Sequence, residues 1–274
     1  MTPTGSTPTT AEVVDDYLDA QRDVLTRGPH VLYSTADGDE DSAEAVHKTR
    51  VAARRFRSML RVCADLFDAD EAHRLDAELA WYAWVLGEVR DLQVLRAHLD
   101  SALDSVGAQL GAQLAHQRAE LGLRIDTILA ARERRAQRGL RRALVSTRLH
   151  ELQAALVAVA PAQTDRVVGD YLARAEHAAG KRLRRATRLD PHDPDRDAQL
   201  HRARKAAKRA RYAAEMSVPV LGSTAQRAVK QWEATQDELG AHQDAVVAAQ
   251  VLRSLVVNDA DFALGVLWAA ERAR

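Results

Sequence analysis

Two stretches of this chain place a histidine at the head of a line of basic side chains. The first line, here called the His47 stripe, has spacings of i, i+3, i+7, i+10 and i+14: His47, Arg50, Arg54, Arg57 and Arg61. The second, the His201 stripe, repeats the first four spacings: His201, Arg204, Lys208 and Arg211. On an α-helix these spacings give one face with a cationic donor about every 5 Å. Such a face suits an extended polyanion, because guanidinium groups match phosphate oxygens.

Further basic residues accompany both stripes, so the helices are crowded with positive charge. Four of these further basic residues are Lys48, Arg55, Lys205 and Arg209. Like charges one turn apart destabilise an isolated helix by roughly 0.2–0.5 kcal/mol per pair. A binding surface explains why the chain keeps this arrangement twice.

The net charge of zero hides a strongly sorted charge distribution. Segments 47–61, 132–148, 181–188 and 201–211 together hold 24 of the 39 basic residues and one of the 39 acidic residues. A chain sorted in this way has a positive zone that attracts polyanions and an acidic remainder. The alternative is an arginine-rich proteome in which basic runs are merely solvated helix faces.

Composition limits both the fold and the compartment. The chain has 274 residues, 46% of them hydrophobic, and its abundance of Ala, Leu, Arg and Glu predicts an all-α fold. A single cysteine, Cys63, excludes an internal disulfide framework and a Cys-based zinc site. The longest nearly unbroken apolar run, 79–87, is too short to span a membrane, and no secretory signal is visible. We therefore expect a cytoplasmic protein whose residues 1–9 form a disordered tail.

Helical periodicity covers almost all of the remaining chain. The predicted helices cover 10–27, 42–67, 70–102 with a bend or break at Gly87, 108–145, 147–159, 164–188, 197–216, 222–239 and 242–257, with a last piece from Ala260. The first is expected to end at Gly28-Pro29. On the second, an apolar stripe should seat the helix in the core: Val46, Ala53, Phe56, Leu60, Cys63 and Phe67. Trp81, Tyr82 and Trp84 are also expected in the core.

An internal repeat organises these helices. Residues 46–57 align without gaps with residues 200–211 at an offset of 154, histidine on histidine. Downstream, Leu86-Gly-Glu-Val-Arg-Asp aligns with Leu239-Gly-Ala-His-Gln-Asp at an offset of 153. Two matches in the same order at nearly the same offset indicate a duplicated helical unit. The predicted halves are residues 10–160 and 161–274.

The repeated pattern H-x-x-R-[VK]-A-x-[RK]-R-x-R, followed some 40 residues later by L-G-x-x-[RQ]-D, resembles the CHAD (conserved histidine α-helical domain) family. The resemblance covers about residues 10–270. It implies two helical bundles related by a pseudo-twofold axis, whose basic helices face a central cleft. It also implies that the ligand is inorganic polyphosphate and that the protein gathers at polyphosphate granules. The resemblance implies a first group of phosphate ligands made up of His47, Arg50, Arg54, Arg57, His201, Arg204, Lys208 and Arg211. A second group would be Lys48, Arg55, Arg61, Lys205 and Arg209. One departure is Lys208, which stands where the first copy has Arg54.

Two other classes of protein are alternatives to a non-catalytic polyphosphate-binding protein. A polyphosphate- or triphosphate-processing enzyme or accessory protein needs carboxylates that hold metal ions. The sequence contains neither E-x-E-x-K nor a P-loop, and we expect no cofactor and no metal site, because the two histidines lie among guanidinium groups. A nucleic-acid-binding protein needs aromatic side chains for base stacking, and the two basic helices offer only Phe56 and Tyr212.

The spacing predicts which substitutions weaken anion binding. Arg50→Ala and Arg204→Ala should each cost about 1–3 kcal/mol of polyphosphate affinity through loss of a charged hydrogen bond. Arg22→Ala and Arg27→Ala, outside both stripes, should change affinity little, as titration with labelled polyphosphate would measure. Reversing the charge of Arg54 and Lys208 together should abolish binding while the circular-dichroism signal of helix survives. Equal losses from Arg27→Ala and Arg50→Ala would mean that only net charge matters.

Overall fold

The computed structural model describes residues 8–35, 39–110, 115–190 and 193–255, and within these ranges all regular secondary structure is helical, as predicted. The helices are α1 (Thr10–Ser34), α2 (Glu40–Val62), α3 (Ala69–Leu110), α4 (Ala115–Leu144), α5 (Thr147–Ala158), α6 (Val168–Thr187), α7 (Arg196–Leu221) and α8 (Ser223–Leu255). A 3₁₀ turn, Ala64–Leu66, follows α2. None of the helices in the described ranges has the length and apolarity needed to cross a bilayer.

The chain forms two compact units that do not follow sequence order. The first unit combines the chain up to Leu86 with Ala143–Leu239, and the second combines Gly87–Arg142 with the chain from Gly240 onward. Two of the divisions fall inside the repeated Leu-Gly pairs, in α3 and in α8, and the third falls near the end of α4. Each unit therefore takes parts of both predicted halves, and the assignment of residues 10–160 and 161–274 to two bundles stays a prediction. Residues 1–7 of the predicted tail and the piece from Ala260 lie outside the described residues.

Helix α1 begins with a capping box and continues beyond its expected end. The Thr9 hydroxyl accepts a hydrogen bond from the Glu12 backbone amide, and the Glu12 carboxylate accepts one from the Thr9 amide. The prediction that α1 stops at Gly28-Pro29 was wrong, because Gly28, Pro29 and Leu32 are buried. Burying this last part of the helix outweighs the one hydrogen bond that proline removes.

The predicted apolar stripe of α2 is confirmed. Each of its six members is less than 9% exposed: Val46, Ala53, Phe56, Leu60, Cys63 and Phe67. Burial raises the pKa of the Cys63 thiol to about 12, so this side chain behaves as a small apolar group. The α-helix itself ends at Val62, and the 3₁₀ turn carries the chain to Phe67.

Helices α6, α7 and α8 share a core that is rich in alanine. Leu172 and Ala179 of α6 pack with Trp232 of α8 and a row of small side chains on α7: Ala206, Ala207, Ala210, Ala213 and Ala214. Val62, at the end of α2, packs against the same cluster. Small side chains on α7 let neighbouring helices approach closely, and this fixes where their longer side chains emerge.

Three further expectations needed correction. Helix α3 runs through Gly87 without a break, and one helix, α8, replaces the two predicted over 222–239 and 242–257. Tyr82 is fully buried, whereas Trp84 is 62% exposed and so does not belong to the core. Trp81 is half-buried and lies under the Arg148 guanidinium, 4.2 Å from ring centroid to guanidinium carbon.

The contact between α1 and α2 generates a stability prediction. A Cβ at Gly28 would lie 2.3 Å from the Oγ1 of the buried Thr49, which donates a hydrogen bond to the Ala45 carbonyl. Gly28→Ala should therefore lower the free energy of unfolding by about 1–3 kcal/mol in urea titrations. Gly139→Ala, where a Cβ meets nothing within 4 Å, should raise it by about 0.5–1 kcal/mol.

The double variant Gly28→Ala/Thr49→Ala separates steric conflict from other causes. Removing the Thr49 hydroxyl and methyl should make the Gly28→Ala substitution much less destabilising than it is in the wild-type background. Equal effects of Gly28→Ala in both backgrounds would contradict the proposed close contact.

Candidate functional site

The two basic helices pack against each other within the first compact unit. The Arg55 guanidinium of α2 forms an ion pair with Glu215 of α7, 2.9 Å from Nη2 to Oε2, and lies 5.6 Å from the Tyr212 ring centroid. Further along α2, Val62 packs on a cluster that includes Ala206 and Ala210 of α7. Because contacts move toward lower numbers on α7 as they move toward higher numbers on α2, the helices run antiparallel.

Glu215 joins three helices at one end of this contact. Its carboxylate accepts hydrogen bonds from Tyr17 of α1 (3.0 Å) and Arg211 of α7 (3.0 Å), in addition to the Arg55 ion pair. The Glu215 side chain is only 15% exposed. Burial and the Glu215 charge raise the pKa of the Tyr17 hydroxyl, so it stays a neutral donor. Arg55 and Arg211, both predicted ligands, are thus held by an internal carboxylate.

Arg57 and Arg211 lie at equivalent positions of the repeat. Each is held by a carboxylate of a neighbouring helix. In the first copy, Asp76 of α3 accepts hydrogen bonds from Arg57 (3.1 and 3.3 Å) and from Arg61 (3.1 and 2.7 Å). In the second copy, Glu233 of α8 pairs with Arg211 at 2.9 Å. Burial opposes ionisation of Asp76, but the Arg61 and Arg57 hydrogen bonds hold its pKa below the ordinary value.

The remaining predicted ligands differ in their exposure. The first three members of each stripe are half-buried: His47, Arg50, Arg54, His201, Arg204 and Lys208. Arg204 keeps its Nε atom buried with no hydrogen-bond partner in the described part of the chain. Lys48 and Lys205 are exposed, and Lys48 pairs with Glu44 at 3.3 Å. The stripes are therefore partly buried faces and not fully solvated ones.

Arg182, which the stripes did not include, affects the ionisation of a predicted ligand on α7. Burial lowers the pKa of the half-buried Arg209, and the charges of Arg182 and Arg61 lower it further. Arg182 belongs to α6 and to the basic segment 181–188, which was recognised as a charge run but not as part of the site. The sequence signal for Arg182 was that its basic run lies on the helix preceding α7. Which residues Arg182 approaches depends on helix packing.

A further short match between the two halves of the sequence involves a tyrosine in each half. Asp16-Tyr17-Leu18 and Asp170-Tyr171-Leu172 share the same offset of 154. Tyr17 donates its hydroxyl hydrogen bond to Glu215, and Tyr171 donates to Asp65 at 2.9 Å. Each tyrosine therefore reaches a carboxylate that belongs to the opposite half of the sequence.

Arg22 has a structural role that makes it unsuitable as a control for binding. Its guanidinium donates to the carbonyls of Leu156 (2.8 Å) and Val159 (2.7 Å) at the end of α5, and its side chain is only 13% exposed. Replacing it would leave those carbonyls without their donor. Arg27, 78% exposed and paired with Asp23 on the same helix, remains a suitable control.

Comparison with known proteins assigns the chain to a family. The sequence profile described as CHAD domain matches residues 17–253, which include both basic helices. The chain belongs to the CHAD domain family. Two uncharacterized proteins of Mycobacterium tuberculosis, Rv2226 of strain H37Rv and MT2285 of strain CDC 1551, are each 32% identical over 246 residues. The match covers 84% of this chain and 45% of theirs, so the chain spans about half the length of these curated relatives.

Solved structures agree with membership of the CHAD family. PptA from Streptomyces chartreusis has a similar fold, with a TM-score of 0.79 at 22% identity over 97% of this chain and 95% of that one. The CHAD domain of the plant Ricinus communis gives a TM-score of 0.68 at 25% identity, over 97% of this chain and 86% of that one. The all-α fold expected of a CHAD protein is thus confirmed over the described residues.

The Asp76 contact in this CHAD domain predicts a pH-dependent contribution to stability. Asp76→Asn should lower the free energy of unfolding at pH 7 by about 1–3 kcal/mol, because Arg57 and Arg61 lose a charged acceptor. The folded-state pKa of Asp76 is lowered, so its contribution is complete above the unfolded-state value of about 3.9 and is lost as pH falls through the folded-state value. Urea titrations between pH 7 and pH 3 measure both effects.

Glu44→Gln serves as the matched control for Asp76→Asn. Glu44 and Lys48 are 58% and 65% exposed, so loss of this surface pair should change stability by no more than about 0.5 kcal/mol. A difference between wild type and Asp76→Asn that is absent at pH 7, or that grows toward pH 3, would contradict the role assigned to Asp76.

Proposed function

We propose that this protein binds inorganic polyphosphate without catalysing its turnover, and that it associates with polyphosphate granules. The observation that carries the proposal is the packing of α2 against α7 in one unit, which gathers basic side chains from two distant parts of the sequence on a half-buried surface. A surface of fixed guanidinium and ammonium groups is suited to a polymer that carries charge at every repeat and has no bases to read. Membership of the CHAD family adds the link to polyphosphate.

We infer as well that the chain is an internal duplication with pseudo-twofold symmetry. Under the offset of 154, Arg55 corresponds to Arg209 and Arg61 corresponds to Glu215. Arg55 pairs with Glu215, and the charge of Arg61 lowers the pKa of Arg209, so the ion pair and this charge interaction join equivalent pairs of positions. Reciprocal contacts of this kind are what a twofold relation requires. The two tyrosine–carboxylate contacts support the same arrangement, in which the cleft between the two halves would hold the polymer.

The aromatic side chains of the basic helices argue against nucleic acid as the ligand. Phe56 of α2 is fully buried, and Tyr212 of α7 is 4% exposed beneath the Arg55 guanidinium. These are the only aromatic residues on the two helices. Neither can stack on a nucleotide base, which is the main sequence-tolerant contact in single-strand binding.

The carboxylates near the site favour binding over catalysis. Asp76, Glu215 and Glu233 each form ion pairs with arginine, an arrangement that neutralises the groups a hydrolase would use to hold Mg²⁺. In the described ranges of the chain, no three His, Cys, Asp or Glu side chains converge as ligands of one metal ion.

Titration with polyphosphate, double-stranded DNA and single-stranded RNA tests the proposal. Fluorescently labelled long-chain polyphosphate should bind tightly, and the logarithm of its affinity should fall linearly with the logarithm of salt concentration. Unlabelled double-stranded DNA at equal charge should compete poorly, because a duplex about 20 Å wide does not enter a cleft sized for a bare phosphate chain. After incubation with Mg²⁺ or Mn²⁺, the polymer should migrate unchanged on a denaturing gel.

Each alternative has a distinct outcome in the same experiment. Equal competition by DNA or single-stranded RNA at physiological salt would favour the nucleic-acid function. Shortened polymer in the presence of metal would favour an enzyme. Imaging of the tagged protein in cells that accumulate polyphosphate tests the granule association, which a uniform distribution would contradict.

A further inference from the structure

The solvent-facing side of helix α3 carries a regular row of residues, here called the α3 stripe. Its members follow one another at alternating spacings of three and four residues: Arg74, Ala77, Trp81, Trp84, Glu88 and Asp91. Between positions 74 and 91 every exposed residue of α3 belongs to the stripe, and the remaining member, Trp81, is half-buried. Alternation of three and four keeps residues on one side of a helix, as in the seam along which two helices pack.

Two tryptophans lie at the centre of the α3 stripe, where the solvent side of a helix ordinarily carries polar residues. Trp84 is 62% exposed. At the offset of 153 that relates the nearby Leu-Gly pairs, the second repeat has Ala234 and Asp237 in these places, and both are exposed. The repeated helix therefore forms without aromatic side chains on this face, so folding of the chain does not explain the tryptophans. Tryptophan is enriched at the energetic centres of protein interfaces.

Contacts with helix α5 fix the orientation of Trp81. The guanidinium carbon of Arg148 lies 4.2 Å from a Trp81 ring centroid. Glu78, one turn before Trp81, accepts hydrogen bonds from Nε and Nη2 of Arg148 at 2.6 and 3.1 Å. A stacked guanidinium with two charged hydrogen bonds holds the indole in place. A side chain that is already ordered loses less entropy when a partner binds, so this aromatic surface is suited to docking.

The charge of the α3 stripe changes sign from one end to the other. Arg74 lies toward the N-terminal end, whereas Glu88 and Asp91 lie toward the C-terminal end. A second copy of α3, turned antiparallel by a twofold axis between positions 81 and 84, pairs 81 with 84, 77 with 88 and 74 with 91. This arrangement sets Arg74 opposite Asp91 of the second copy. The α3 stripe is thus complementary to itself in charge, as an isologous interface requires.

We propose that the α3 stripe is a homodimer interface in which the α3 helices of two copies pack antiparallel about a twofold axis. Each Trp84 lies against Trp81 of the second copy, so that indole rings form the centre and opposite charges form the rim. The same patch is used on both copies, and the assembly closes at two. The dimer does not depend on which ligand the basic helices α2 and α7 bind.

Sedimentation velocity over a range of protein concentrations tests the dimer. The wild type should pass reversibly from monomer to dimer at concentrations on the order of micromolar, since a face one helix wide is smaller than a standard interface. Trp84→Asp should stay monomeric over the same range, because dimerisation would bury a carboxylate against indole rings. Its circular-dichroism spectrum should match that of the wild type, since position 84 is exposed and the second repeat already has aspartate there.

Two substitutions at Ala77 test the antiparallel arrangement, because this position lies opposite Glu88 of the second copy. Ala77→Lys should tighten the dimer by about twofold to tenfold, and Ala77→Glu should weaken it by a similar factor. Both variants change the same exposed position, so each is the control for the other. They also test the interface if Trp84→Asp does not fold. Equal effects of the two substitutions would overturn the antiparallel pairing.

Leu123→Asp is the matched control for Trp84→Asp. It places the same charge on another exposed apolar position, 68% exposed on α4, and should keep wild-type dimerisation. Equal loss of the dimer in both variants would mean that association is nonspecific and would overturn the interface. A dimer that survives Trp84→Asp unchanged would overturn it as well. A wild type that stays monomeric at all concentrations would overturn the homodimer and leave a different protein as the partner of this face.

Discussion

Repulsion between two arginine-rich helices is the constraint on which the first compact unit depends. Helices α2 and α7 pack directly against each other, so guanidinium groups of both are partly removed from water. Burial of like charges is unfavourable unless carboxylates or hydrogen bonds compensate for it. Part of the compensation comes from helices without the His-led pattern, through Asp76 of α3 and Glu233 of α8. The rest comes from Glu215 of α7 itself, which Tyr17 of α1 supports.

The alanine core makes this arrangement possible. Along α7 the residues between the basic positions are small and almost completely buried, and Val62 of α2 packs on the same cluster. Burial of this apolar surface stabilises the folded unit and opposes the like-charge repulsion. Small side chains also set the helices close together, so a long side chain of α2 reaches α7, as in the Arg55–Glu215 ion pair. The same helices thus carry core residues on one face and basic side chains on another.

Much of the fold was predictable because helical periodicity is a local property. The apolar stripe from Val46 to Phe67 and the helical positions of both basic stripes follow from spacing alone. Where helices end was less predictable: α1 continues through Pro29, since burial of its last turns depends on α2. Trp84 is exposed although its sequence neighbours are buried, because α3 presents that position away from the core of its unit. Periodicity alone did not decide which apolar positions would find a partner.

By itself the sequence determined the helical class, the repeated basic faces and the family. It could not determine which arginines the protein neutralises internally. Arg57 and Arg209 are both basic residues on predicted site helices, yet Arg57 pairs with Asp76, while burial and the charges of Arg182 and Arg61 lower the pKa of Arg209. The distinction was decided by tertiary structure, because charge interactions depend on distances between side chains far apart in sequence. Only the packing of α2, α6 and α7 places those charges side by side.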